Sequence, residues 1–153
     1  MTDRVNLRPA TMADAKRLFE WRNDPETRKA SHNNEEIRFD VHLKWLEVSL
    51  NSPDTRRLWV AEWQGRAVGS CRADRAGRAW TLSWVVAPQA RGKGVAQQML
   101  STLIAHFQDP LLAEIKVGNM ASIKASENVG FVFEKEDRGV LHYVYPRSSG
   151  PST

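Results

Sequence analysis

Residues 80–107 read WTLSWVVAPQARGKGVAQQMLSTLIAHF, and the periodicity of this run changes halfway along it. From Trp80 to Val86, aromatic and β-branched residues predominate up to Pro88, which predicts a strand. From Val95 the apolar stripe is Val95, Met99, Leu103 and Phe107, flanked by Ala96, Leu100 and Ile104. That spacing predicts an amphipathic helix. Between the two lies Gln89-Ala90-Arg91-Gly92-Lys93-Gly94. Glycines at a strand-to-helix turn let the backbone approach a ligand closely, and the first amides of the helix have no intrahelical acceptor. Hydrogen bonding and the helix dipole together favour an anion there. Arg91 and Lys93 add positive charge that suits a diphosphate better than a single carboxylate. The competing reading is a turn in which the glycines only reverse the chain.

Two common phosphate motifs do not fit. A nucleotide P-loop requires a leading glycine, absent here, and a Ser or Thr after the lysine, where Gly94 stands. A dinucleotide fingerprint requires a third glycine where Gln97 stands, although Glu114 lies at the distance of a ribose-binding acid.

Outward from this run, Val5 to Arg8 is a short strand. A helix carrying Leu18, Phe19 and Trp21 follows, stopped by Asn23-Asp24-Pro25. Phe39 to Leu50 repeats apolar residues at helical spacing and closes at Asn51-Ser52-Pro53. Strand patterns at 58–63, 67–72 and 80–86, turned at Gln64-Gly65 and at 74–77, form an antiparallel meander. Leu111 to Val117 is a strand, and Ala121 to Asn128 is a short helix ended by Gly130. Residues 131–133 and 140–145 are a final strand pair. The expected fold is α+β, a mixed and mostly antiparallel sheet flanked by helices, in one domain over residues 1–146. The tail 147–153 is expected to be disordered.

The chain has 153 residues, with 22 Lys and Arg against 18 Asp and Glu, and is 41% hydrophobic, as an ordinary globular domain is. Its basic residues are scattered from Arg4 to Arg147 without a stripe, which argues against a nucleic-acid partner. No apolar run is long enough to span a membrane or act as a secretory signal, so the expected location is cytoplasmic. Cys71, the single cysteine, reads as a buried thiol. Histidines 32, 42, 106 and 142 lack metal-ligand spacing, so no metal is expected.

Gln89-x-x-Gly92-x-Gly94 after a strand, followed by Asn119 and Gly130-Phe131, resembles the GNAT family of acetyl-CoA-dependent N-acetyltransferases. Trp21-Arg22-Asn23-Asp24-Pro25, with His42 and Trp45, is similar to the branch holding ribosomal-protein N-terminal acetyltransferases and amino-sugar nucleotide acetyltransferases of pseudaminic acid synthesis. The resemblance implies that main-chain amides of Gln89, Ala90, Arg91, Gly92, Lys93, Gly94 and Val95 wrap the coenzyme A pyrophosphate. It implies that Trp84, Val85 and Val86 offer backbone to the pantetheine, on a strand splayed from Glu114–Val117. Read without the family, Val85, Val86 and Ala87 are plain core strand.

Acetyl transfer to nitrogen needs a neutral amine, an oxyanion donor and a proton for the departing thiolate. The resemblance assigns the base to Glu114, with Glu62 a weaker second candidate, and the oxyanion donor to the amide near Val86. Without the family, Glu114 is a solvent-facing strand residue. Asn119 suits a helix N-cap, a contact to the coenzyme, or both. The family acid is a tyrosine at the position held here by Ser126. A thiolate is a tolerable leaving group, so Ser126 or a water relay suffices, or another group supplies the proton. Trp21, Arg22, His42, Trp45 and Ser83 would border the acceptor cleft, although core packing is the default for tryptophans.

The implied activity is direct transfer, without an acyl-enzyme, from acetyl-CoA to a small-molecule or peptide amine. The acceptor is either an amino-sugar nucleotide or a protein N-terminus, and the enzyme is expected to be a monomer or homodimer. Ser126 keeps open a rival, a non-catalytic acyl-CoA-binding module.

Overall fold

The computed structural model describes residues 4–31 and 35–147. Seven strands form one sheet in the order β1-β2-β3-β4-β5-β7-β6. They are β1 (Asn6–Pro9), β2 (Arg56–Trp63), β3 (Arg66–Ala76), β4 (Ala79–Val86), β5 (Leu111–Lys116), β6 (Val132–Asp137) and β7 (Val140–Tyr145). The helices are α1 (Ala15–Asn23), α2 (Pro25–Ala30), α3 (Phe39–Leu50), α4 (Val95–Ile104) and α5 (Met120–Asn128). Only β4 and β5 pair in parallel, joined by the α4 crossover, and every other pairing is antiparallel. The mixed sheet with flanking helices is the architecture expected from the sequence.

The apolar stripe of α4 is buried as its period predicts, with Val95, Met99, Leu100, Leu103 and Ile104 inaccessible or nearly so. It packs on the sheet face carrying Trp80 and Leu82. Gly69 on β3 makes this approach possible, because a Cβ there would stand 2.5 Å from the Val85 carbonyl oxygen and 2.9 Å from Met99 Sδ.

Three elements differ from the sequence reading, one of them β6, which runs over Val132–Asp137 rather than 131–133. Asn23-Asp24-Pro25 ends α1 but also begins α2: Asp24 accepts from the Thr27 amide at 3.2 Å, and Pro25 occupies the first helical turn. β3 runs on to Ala76, so the turn sits at Gly77-Arg78 rather than across 74–77. Arg147, counted with the tail, donates to the Ile104 carbonyl at 2.9 Å, while residues 148–153 lie outside the described residues. No helix among the described residues is long and apolar enough to cross a membrane.

Before α1, Thr11 and Asp14 form a capping box, and Arg8 donates to both carboxylate oxygens of the buried Asp14 at 2.9 and 2.7 Å. The Arg8 hydrogen bonds overcome partial burial and hold the Asp14 carboxyl below the usual carboxylate range. Its stabilisation is therefore complete above the unfolded value near 4 and disappears as pH falls through the lower folded value. Asp14→Ala is expected to cost about 2 to 3 kcal/mol at pH 7 in urea unfolding, a difference that shrinks in strongly acidic solution.

Candidate functional site

β4 ends at Val86, and a single 3-10 turn, Pro88–Ala90, leads into the glycine loop. Gly92 and Gly94 adopt left-handed φ of +77° and +76°, and a Cβ on either would meet nothing within 4 Å. Backbone conformation, not crowding, selects glycine here, and the outer side of the loop is open. Gly94 caps α4, whose first helical bond runs from the Gln98 amide to the Gly94 carbonyl at 3.3 Å. The amides of Val95, Ala96 and Gln97 therefore lie ahead of the first intrahelical donor, at the positive end of the helix dipole.

The two cations of the loop have different surroundings. Arg91 donates to Asp24 at 2.6 Å, Glu26 at 3.2 Å and Thr27 Oγ1 at 3.2 Å, tying the loop to the start of α2. Partial burial opposes ionisation of Asp24, but the bonds from Arg91 and the Thr27 amide outweigh it and keep the carboxyl below its ordinary range. Lys93 is exposed. Gln89 lines an open cleft of about 430 Å³ with Pro88, Phe19, Glu20, Trp21, Asn23, Asp24 and Glu36.

The sheet opens beside this loop. β4 and β5 pair only over Trp80–Leu82 and Leu111–Ala113. Beyond that, Ser83 to Val86 pair with β3 alone, and Glu114 to Lys116 with β7 alone. The facing edges of β4 and β5 thus part toward the N-terminus of α4. Trp84, Val85 and Val86 are half-buried along this opening. The indole N–H of Trp84 is buried without an acceptor among the described residues, a cost of about 1 to 3 kcal/mol that a ligand carbonyl or a water would relieve.

Strand alternation sorts the remaining residues between the two faces. Trp80 and Leu82 turn toward α4. Ser83 turns the other way, level with Arg72 of β3, and Glu114 lies on that same face across the opening, exposed and paired in register with His142. Trp21 and His42 are core residues. His42 approaches the Ala15 carbonyl at 3.1 Å through Nε2 and Arg22 at 3.4 Å through Nδ1. Burial first, and then the Arg22 charge, lower the His42 pKa, so the neutral ring donates from Nε2 and accepts at Nδ1. His42 thereby fixes Arg22, whose guanidinium lies 4.5 Å from the Trp45 ring centroid. Arg22, Trp45 and Ser83 are half-buried, His42 lies against Arg22, and Trp21 lines the cleft beside Gln89. Arg56 and Arg72 join Arg22 at Trp45, and nothing in the sequence alone marks either as a site residue. The period-two alternation gains that meaning only once the register puts Arg72 level with Ser83.

Asn119 caps α5, its side chain accepting from the Ser122 amide at 3.3 Å. Ser126 is inaccessible, and its hydroxyl donates to the Ile123 carbonyl at 2.9 Å. Ser126→Ala is accordingly expected to lower turnover only about twofold to threefold, in line with loss of one local hydrogen bond. Near-total loss of turnover with coenzyme binding intact would make the hydroxyl essential. Glu62 accepts from Arg8 at 3.0 Å, near the opposite edge of the sheet from the opening. Burial raises the Cys71 thiol pKa well above its usual value. Among the described residues, no group of three His, Cys, Asp or Glu side chains is arranged to hold a metal.

The family profile described as "Acetyltransferase (GNAT) domain" matches residues 4–132. Among solved structures, the chain is similar to ribosomal-protein-alanine N-acetyltransferase from Brucella melitensis at 26% identity and TM-score 0.76, covering 91% of this chain and 98% of that one. It is similar in fold to spermidine N-acetyltransferase from Vibrio cholerae in complex with CoA and spermine, at 18% identity and TM-score 0.76, covering 94% of each chain. RimL, the ribosomal L7/L12 α-N-protein acetyltransferase in complex with coenzyme A, superposes with TM-score 0.80 at 14% identity over 94% of each chain. No curated protein sequence matches significantly.

Proposed function

The chain belongs to the GNAT acetyltransferase family, and on that premise we propose that it transfers acetyl directly from acetyl-CoA to a primary amine of an amino-sugar nucleotide or a protein N-terminus. The observation that carries this reading is the parting of β4 from β5 beside the open glycine loop at the start of α4. The residues present suit an acyl-CoA. The Ala90 and Arg91 amides already donate to the Ala87 and Pro88 carbonyls, and the remaining amides from Gln89 to Val95, with the exposed Lys93, suit its pyrophosphate. The edge of β4 offers backbone groups to an extended amide chain as a neighbouring strand would. CoA occupies the Vibrio cholerae and RimL structures of the same fold, which supports acetyl-CoA as cosubstrate.

In this reading Glu114 takes the amine proton, directly or through water, and an amide near Val86 donates to the developing oxyanion. Asn119 holds the start of α5 and touches the coenzyme. Arg22, Trp45 and Ser83 border the acceptor, with His42 behind Arg22 and Trp21 in the cleft beside Gln89. Ser126, buried where the family acid is expected, favours one other reading, a non-catalytic acyl-CoA-binding module.

Coenzyme A release, followed with amino-sugar nucleotides, polyamines and N-terminal peptides, separates the two. The enzyme turns over on at least one sugar or peptide acceptor. Tight acetyl-CoA binding without turnover on any acceptor supports the binding module.

A further inference from the structure

Around Trp45 the acceptor-side face of the sheet gathers more cations than acids. Arg22, Arg56 and Arg72, from α1, β2 and β3, surround Trp45 with guanidinium carbons 4.5, 5.3 and 5.8 Å from the ring centroid. Asp74 accepts from Arg56 Nε at 2.6 Å and from Arg72 Nε at 2.8 Å. Arg22 has no carboxylate partner among the described residues, since its polar contact is with His42. Within the cluster around Trp45, three guanidinium groups against the one carboxylate bonded to them leave two positive charges. Both bonds to Asp74 use Nε, so the terminal nitrogens of Arg72 face no carboxylate among the described residues. Arg56 spends one of its own on Ser49 Oγ at 3.2 Å.

These side chains are neither fully solvated nor sealed, with Arg56 34% and Arg72 36% exposed. Burial, and then the charges of Arg72 and Arg56, make the cationic state of Arg22 harder to hold. A half-dry cluster of like charges costs stability in the free protein and repays it when an anion arrives. Its place fits the acceptor path. Arg72 pairs in register with Ser83, the first residue of β4 beyond its last pair with β5, so Arg72 lies one strand, about 5 Å, from the opened part of β4, and Arg56, on β2, lies one strand further out. Glu114 shares their face.

We propose that Arg22, Arg56 and Arg72 form a phosphate subsite for the acceptor, so that the amine acetylated is a phosphorylated one. A phosphate monoester or a diphosphate brings about two negative charges and several acceptor oxygens to match two surplus cations and their forked donors, whereas one carboxylate neutralises half of that charge. His42 acts as a positioning residue by holding Arg22. This inference rests on the acetyl-transfer reading and narrows it to the phosphorylated acceptor class.

Steady-state coenzyme A release is compared for glucosamine, glucosamine 1-phosphate, glucosamine 6-phosphate, UDP-glucosamine and an alanine-led peptide. At least one phosphorylated acceptor is expected to exceed glucosamine in kcat/KM by about tenfold or more, with that ratio falling severalfold in Arg22→Gln and in Arg72→Gln. A preference for the monoesters identifies a free phosphate, and a preference for UDP-glucosamine a nucleotide diphosphate. Glucosamine or the peptide used as well as every phosphorylated acceptor overturns the subsite and leaves the acetyltransferase reading standing. Calorimetry with inorganic phosphate on the CoA-saturated protein is independent of turnover. Binding that weakens in both variants supports the subsite even if no acceptor is acetylated, an outcome that would sink the transfer reading alone. No phosphate binding to the wild type overturns the subsite.

Discussion

Glu114→Gln is expected to lower kcat by about 10² to 10⁴-fold near pH 7, with acetyl-CoA affinity unchanged within about twofold. The ammonium of a protein N-terminus, with a pKa of about 8, must lose a proton before its nitrogen can attack, and Glu114 is the carboxylate on the acceptor face at the point where β4 and β5 part. Gln keeps the shape and removes the basic oxygen. Glu114 is exposed, so the exchange is expected to alter stability by about 0.5 kcal/mol or less. The variant should also regain rate as pH rises toward the pKa of the free amine, because solution then does what the carboxylate did. A kcat within about threefold of wild type would return Glu114 to the role of a solvent-facing strand residue.

The second large effect is expected at Gly94. With φ at +76°, a β-branched side chain there costs about 1 to 2 kcal/mol or forces the backbone out of its left-handed conformation. Either response re-aims the first amides of α4. Gly94→Val should therefore weaken acetyl-CoA binding by about tenfold or more in a direct titration. Gly77→Val is the control, because Gly77 has a similar φ of +63° in the β3–β4 turn and also lies in open space. It should lower the unfolding midpoint comparably and leave affinity alone. Equal affinity in the Gly94 variant and the wild type would show that these amides do not carry the binding.

The parts of the structure that could be read from the sequence are those built from local patterns. The change of period across residues 80–107 gave strand, loop and α4, because alternation and the stripe from Val95 to Phe107 depend only on near neighbours. Asn119 was likewise readable as a cap. The α2 helix has no signal of its own in the sequence because a proline that stops one helix also suits the first turn of the next, and Asp24 serves as end of α1 and cap of α2 together. The last residues of β3 looked like a turn because Asp74 and Arg75 are polar. In the folded chain Asp74 bridges two arginines, and Arg75 lies over the Trp80 ring at 5.3 Å, so both are occupied within the sheet.

Site residues divide along the same line. Arg91 reads in the sequence as a cation for a diphosphate, yet it also reaches Asp24 at the start of α2, a contact 67 positions away that no local pattern signals. Arg56 and Arg72 become visible only when the register of β2, β3 and β4 is known, since Trp45 arrives from a helix. Burial of Trp21 and His42 is equally non-local: both sit on faces whose covering elements come from other parts of the chain.

The most direct measurement is a pair of calorimetric titrations of the full chain, one with acetyl-CoA and one with S-acetylpantetheine, which has the thioester arm but no pyrophosphate. Docking of the anionic tail on the unpaired amides of α4 predicts saturable 1:1 binding of acetyl-CoA and binding weaker by about a hundredfold or more for the truncated thioester. Equal affinity for the two, or no heat with acetyl-CoA, would contradict the account.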